Sequence, residues 1–192
     1  MEIRHPQSAG NLAAMMRHLV RATELERDVA GLTPLQWSAL HFLALANGMS
    51  RTVSGFAAYN ATSKGTASQV IKSLVEKALV RREQSPSDAR SATLVLTEDG
   101  QRLVDDGQAN PLTAAIESLA DADRRQLEAL MASLMAQLRP PQGRVQLGSC
   151  HDCRHLGEQD GIPHCCRTHT RLGEDEQYAL CAAHAPRESQ HG

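Results

Sequence analysis

Between Thr62 and Ala78 the apolar residues Ala67, Val70, Ile71, Leu74, Val75 and Ala78 return at three- and four-residue steps. That spacing gathers them on one face of a helix and predicts that this face is buried. The opposite face carries Lys64, Thr66, Ser68, Gln69, Lys72 and Ser73. Thr62 or Ser63 can cap the start, because a short side-chain oxygen accepts from an unpaired N–H of the first turn. The pattern then switches to short runs, 79–83 and 92–96, around the breaker-rich 85–90, which predicts two strands joined by a loop.

The same reading extends in both directions. Upstream, Leu12, Met15, Met16, Leu19, Ala22 and Leu25 mark an amphipathic helix over about 8–30, whereas residues 1 to 7 have no period. Thr33-Pro34 opens the next helix, with Thr as cap and Pro at the first position. Trp37, Leu40, His41 and Leu45 are expected to share its buried side, and Gly48 to end it. Val53 to Tyr59 makes a short helix before the turn Asn60-Ala61-Thr62, a helix-turn-helix arrangement. Downstream, a helical region starts at Thr97, restarts near Pro111 and passes Asp121, read as a new cap. Leu127, Leu130, Met131, Leu134 and Leu138 then form a stripe that stops at Pro140-Pro141.

The predicted fold class is mainly α with a small β-wing (α+β): a winged helix-turn-helix with long flanking helices and a small cysteine-rich module. Boundaries fall at 8–139 for the helical domain, 140–149 for a linker of turn composition, and 150–185 for the module. The chain is 192 residues long with a formal net charge of −2, yet seven basic residues face three acidic ones between 51 and 92. Concentrated positive charge beside a helix and a loop suits duplex DNA: the helix by the width of the major groove, the loop by that of the minor groove. With five aromatic residues in the whole chain, a stacking surface for single-stranded nucleic acid is not expected.

Candidate phosphate contacts are Arg51, Ser54 and Lys64. Candidate base readers are Thr66, Ser68, Gln69 and Lys72, since Gln can bind adenine bidentately, Lys can reach guanine and Thr or Ser can serve several edges. In the loop, Asp88 can pin the backbone and leave Arg90 to project into a narrow groove.

Leu32-Thr33 with Gln36, Thr66-Ala67-Ser68, Leu74, Leu79-Val80-Arg81-Arg82, Asp88-Ala89-Arg90, and Leu96-Thr97 with Gly100 resemble the MarR family of dimeric bacterial transcription regulators. The resemblance covers roughly residues 10 to 139. It implies that the helix from Ser63 to Lys77 enters the major groove and that Arg90 reaches the minor groove. It further implies that the first and last long helices pack across a two-fold axis, so that a homodimer meets a roughly palindromic site. A small organic effector between the DNA-binding and dimerisation parts is common in that family and is a further expectation.

All five cysteines, Cys150, Cys153, Cys165, Cys166 and Cys181, lie in the last quarter of the chain. No apolar run approaches the length of a membrane span and the N-terminus lacks a signal-peptide pattern, so a soluble cytoplasmic protein is expected. In that setting clustered cysteines point to metal or redox chemistry before stable disulfides. Two cysteines separated by two residues can grip one metal or cluster from a single turn, and distant cysteines close the site. The preferred ligand set is Cys150, Cys153, Cys166 and Cys181, with Cys165, His155 or His184 as substitutes. An iron-sulfur cluster is preferred to zinc, and the spacing resembles that of high-potential iron-sulfur proteins without their aromatic shell. A thiol switch using the adjacent Cys165-Cys166 and an unstructured tail are the alternatives. If the tail alters the packing of the dimerisation helices, DNA affinity would follow.

No Ser-His or Cys-His pair is placed by a recognisable motif, and Gly65 stands alone rather than in a phosphate loop, so catalysis is not expected. An electron carrier fused to a structural winged helix is the remaining alternative.

Overall fold

In a computed structural model the chain is described at residues 8–25, 31–84, 92–106, 111–138 and 146–187. Helices α1 (Ala9–Leu25), α2 (Pro34–Leu45), α3 (Val53–Tyr59) and α4 (Lys64–Glu76) precede the hairpin β1 (Val80–Gln84) and β2 (Ala92–Leu96). Helices α5 (Glu98–Asp106), α6 (Pro111–Glu117) and α7 (Asp121–Gln137) follow. Five further strands, β3 (Gln146–Ser149), β4 (Leu156–Gln159), β5 (Ile162–Cys165), β6 (Thr170–Arg171) and β7 (Leu180–His184), build the C-terminal module. No described helix is long and apolar enough to cross a membrane.

Helix α2 is the hub. A capping box fixes its start: Thr33 Oγ1 accepts from Gln36 N, and Gln36 Oε1 accepts from Thr33 N at 2.9 Å. Trp37, Ala39, Leu40, Phe42 and Leu43 are all buried, so the helix is enclosed on most sides rather than on one stripe. His41 is half-buried, and Leu45 is 55 % exposed instead of sharing the buried side. The enclosure arises because α3, α4, α5 and β2 all pack on α2.

Helix α4 takes its cap from Ser63, whose Oγ accepts from Thr66 N at 3.0 Å. Ala67, Ile71 and Leu74 are fully buried, and each of the two larger side chains contributes about 1.5–3 kcal/mol by leaving water. The buried stripe is narrower than the sequence pattern implies. Val75 is exposed, and Ala78 is an exposed left-handed residue with φ +57 that ends the helix. Around it Leu79 N donates to Leu74 O at 3.0 Å, the six-to-one closure of a helix C-terminus.

Strands β1 and β2 pair antiparallel from Val80↔Leu96 to Gln84↔Ala92. The loop between them, with Asp88 and Arg90, lies outside the described residues. At the far end Thr97 Oγ1 accepts from Gly100 N, and a Cβ on Gly100 would overlap the Leu79 carbonyl, so this exit requires glycine. Asp121 does not cap α7 as expected: Ala120 occupies the cap position without a side-chain bond, and Asp121 stands one residue inside, paired with Arg124 at 2.5 Å.

The module is folded. Strand β3 pairs with β7, and β4, β5 and β6 form a second small sheet. Residues 146–149, assigned to the linker by composition, are therefore a strand of the module. The module rests on the segment between α2 and α3, not only on the terminal helices. Ala46 bridges Leu180 in parallel, Asn47 N donates to Leu180 O at 2.9 Å, and Ala182 N donates to Ser50 Oγ at 2.9 Å.

Candidate functional site

Helix α3 begins at Thr52, whose Oγ1 accepts from Gly55 N at 3.0 Å, and it packs on α4 across the turn at Asn60 to Thr62. The buried Phe56 and Ala57 of α3 hold it against the core, which fixes the angle at which α4 is presented. On the outer face of α4, Lys64, Thr66, Ser68, Gln69 and Lys72 are all exposed. The expected base readers therefore share one solvent-facing surface. Lys72 lies 3.8 Å from Glu76, an exposed pair of little energetic weight that leaves the ammonium available.

Arg51 and Ser54 sit elsewhere. Arg51 is half-buried, and its Nε donates to Ala46 O at 2.9 Å, so part of its guanidinium holds the end of α2. The Arg51 carbonyl accepts from Leu94 N of β2 at 2.7 Å, which ties this segment to the hairpin. Ser54 is exposed but lines a cavity facing the module.

That cavity has a volume of about 240 Å³. Cys150, Cys153, Cys165 and Cys181 all line it, together with His155, Met49, Leu156 and Leu172. Cys150 opens a 3-10 turn in which Cys153 N donates to Cys150 O, so the turn brings both sulfurs to one side. Cys165 ends β5, and Cys181 lies in β7 opposite Gly148. All five cysteines are free thiols. The four at the cavity are buried, whereas Cys166 is exposed, packed over Gly157 with its sulfur 3.5 Å from His164 Nε2. Cys165 is the last residue of β5 and Cys166 the first of the turn that follows, and the two side chains leave the chain on different sides.

Polar hydrogens point at the buried sulfurs. Ala183 N donates to Cys181 Sγ at 3.4 Å, Ala185 N to Cys153 Sγ at 3.5 Å, and Asn47 Nδ2 to Cys150 Sγ at 3.7 Å. The hydrogen bond from Cys150, reinforced by Ala183, Asn47 and Ser50, lowers the Cys181 thiol to about 5 against its burial. The same bond, together with burial, pushes Cys150 well up. Of the histidines, His155 reaches the cavity and His184 does not. His184 is buried against Gly148, with Asp152 Oδ1 3.1 Å from its Nε2 but off the line of an N–H bond. Among the described residues, no three Cys, His, Asp or Glu side chains form a ready-made single-ion shell.

Residues 30–91 match the MarR family model, described as "MarR family". Solved structures of similar architecture include CouR from Rhodococcus jostii RHA1 bound to p-coumaroyl-CoA, 25 % identical over 68 % of this chain and 92 % of that one, with a TM-score of 0.53. The fold is that of MarR winged-helix proteins. A MarR transcriptional regulator from Methanosarcina mazei Go1 matches at 21 % identity over 67 % of this chain and 96 % of that one, TM-score 0.52. An S. aureus MepR–DNA complex matches at 18 % identity over 69 % and 97 %, TM-score 0.55. A search of curated proteins found no match. The MarR-type fold accounts for about two thirds of the chain, and the family model ends well before the cysteines.

Sequence reasoning placed the residues of α4 on the exposed face where they are found. It missed Asn47 and Ser50, whose partners lie more than a hundred residues away. The local signal was a polar residue in an otherwise apolar segment, which reads equally well as a turn.

Proposed function

We propose that this chain is a sequence-specific double-stranded DNA-binding transcription regulator that acts as a homodimer on a roughly palindromic operator. The observation that carries it is the exposed face of α4, with Lys64, Thr66, Ser68, Gln69 and Lys72 outward and Ala67, Ile71 and Leu74 locked beneath. A helix so supported can be laid into a major groove without rearranging. The hairpin β1–β2 supports the same reading, with Arg90 reaching the adjacent minor groove and Asp88 shaping the loop. The structural neighbour solved with DNA is consistent with it. A regulator of this kind works in the cytoplasm and needs no catalytic group.

The homodimer rests on α1 and α7. Leu12, Met15, Leu19 and Val20 of α1 and Leu130, Met131 and Leu134 of α7 are between 40 % and 56 % exposed, more apolar surface than a monomer leaves in water. A second copy would cover both faces and set the spacing of two α4 helices.

We further propose that the C-terminal module is a metal or redox centre that modulates DNA affinity, with an iron-sulfur cluster or zinc as its cofactor. The four buried cysteines around one cavity favour it. A small-molecule effector with zinc as a purely structural cofactor is the second reading, and the neighbour bound to p-coumaroyl-CoA favours considering it. Selection of bound duplexes from a random pool, followed by footprinting, tests the main reading. An enriched inverted repeat protected on one face is expected, and the absence of any enriched sequence would sink it.

A further inference from the structure

The cysteine cavity is not confined to the module. Its walls include Met49, Ser50, Thr52, Ser54 and Ala58, which belong to α3 and to the segment before it. One of the three N–H groups directed at a cysteine sulfur, Asn47 Nδ2, also comes from the winged helix. Whatever the thiols hold is therefore held between the module and the back of the helix-turn-helix.

We propose that Cys150, Cys153, Cys165 and Cys181 are the ligands of an iron-sulfur cluster seated in this cavity, with Cys166 left free. This rests on the reading of the module as a metal centre, and it fixes the ligand set, the class of group and its place. The ligand set follows from burial. Cys165, at the end of β5, lines the cavity, while Cys166, in the turn after it, is exposed and does not.

The class of group follows from spacing and volume. Four sulfurs around one tetrahedral zinc stand about 3.8 Å apart, given a Zn–S bond of ~2.3 Å, and they leave no room between them. Here the four cysteines line one cavity of about 240 Å³, and no three candidate ligands among the described residues gather closely enough to hold a single ion. Thiolates that each hold a different iron need such a gap. The surroundings agree: Met49, Leu156 and Leu172 wall the cavity, no carboxylate lines it, and N–H donors reach three of the four sulfurs. N–H···S bonds and an apolar shell stabilise anionic metal-thiolate groups and set their potential. On loading, the four thiols give up their protons to solvent.

The placement carries a consequence for DNA. The segment 46–52 touches β7 through Ala46, Asn47 and Ser50, starts α3 at Thr52, and touches β2 through the Arg51 carbonyl. Filling the cavity braces this segment, and emptying it removes one wall from behind α3. The path runs within one protomer, through the helix-turn-helix, and does not require a change in the dimerisation helices.

Full-length protein purified without oxygen is analysed for iron, acid-labile sulfide and zinc, its visible spectrum is recorded, and the native loaded form is alkylated and mapped by mass spectrometry. Iron with sulfide and a charge-transfer band are expected, lost in Cys165→Ser and kept in Cys166→Ser, with Cys166 the alkylated cysteine. Zinc without sulfide overturns the cluster. Protection of Cys166 in the loaded protein overturns the ligand set without relying on any variant to fold. With a selected duplex, loaded and iron-depleted protein are expected to differ about tenfold in affinity, within the usual range of coupling between sites, and equal affinities overturn the bracing role. Cluster-loaded protein that selects no duplex supports the cluster and overturns the DNA reader, so the two failures are distinct.

Discussion

Asn47 Nδ2 donates to Cys150 Sγ at 3.7 Å, joining the segment after α2 to the cysteine turn across 103 positions of sequence. The same side chain accepts from Ser50 N at 3.0 Å through Oδ1, and it is 1 % exposed. Asn47 thus closes the turn into α3 with one end and reaches the cysteine cavity with the other. Asn47→Ala removes that side-chain acceptor, leaving the Ser50 N–H its bond to the Asn47 carbonyl at 3.0 Å, and is expected to cost about 0.5–1.5 kcal/mol. Denaturant unfolding monitored by circular dichroism measures the loss. Ser50→Ala removes the acceptor for Ala182 N and the hydroxyl beside the Cys181 thiol, which loosens β7 from the winged helix without disturbing the turn. A loss as large as that of Asn47→Ala would show that docking of the module, not the turn, dominates.

Ala78 ends α4 in the left-handed region at φ +57, where glycine has no steric cost and alanine pays roughly 1 kcal/mol or more. Ala78→Gly is therefore expected to stabilise the fold by about 0.5–1 kcal/mol, since the added freedom of the unfolded chain offsets part of the relief. The side chain is exposed, so no packing is lost. A thermal melt decides the sign, and a lowered midpoint would contradict the left-handed cap.

Gln69 and Lys72 stand one turn apart on the outer face of α4. Replacing either by Ala is expected to relax sequence preference by roughly 1–3 kcal/mol for a lost base contact. If Lys72 instead meets a phosphate, its loss weakens all duplexes alike and lowers the salt slope by about one. Arg90→Ala is expected to weaken operator binding through the minor groove. Competition binding at several salt concentrations separates these outcomes, and unchanged affinity in all three variants would refute the proposed interface.

The legible parts of this fold were those written in local patterns. The Thr33-Pro34 start, the span of α3 and the paired strands around a breaker-rich loop each depend on residues within a few positions of one another. Ala78 was misplaced on the buried face because its three- and four-residue spacing continues past the point where the backbone turns left-handed, and spacing carries no φ. Leu45 was misplaced for a different reason: α2 is enclosed by four elements, so its buried side is set by tertiary neighbours and not by its own period. Cys165 and Cys166 are adjacent, and only the phase of β5 tells them apart. That phase is fixed by pairing Leu156 with Cys165, which no spacing rule could provide.

Leu19 of α1 and Leu134 of α7 remain 51 % and 45 % exposed although both lie on apolar stripes. Burying such side chains in a two-fold interface contributes about 1.5–3 kcal/mol each, and symmetry counts every contact twice. Leu19→Glu and Leu134→Glu place a charge where that interface would be dry, so either is expected to shift the protein from dimer to monomer in sedimentation equilibrium. Because both positions are already open to water within one protomer, the monomer's own core should keep its helical signal. Operator affinity should fall steeply with dimer loss, since one recognition helix then meets one half-site without the second. A variant that stays dimeric with either charge in place would move the interface away from these two helices.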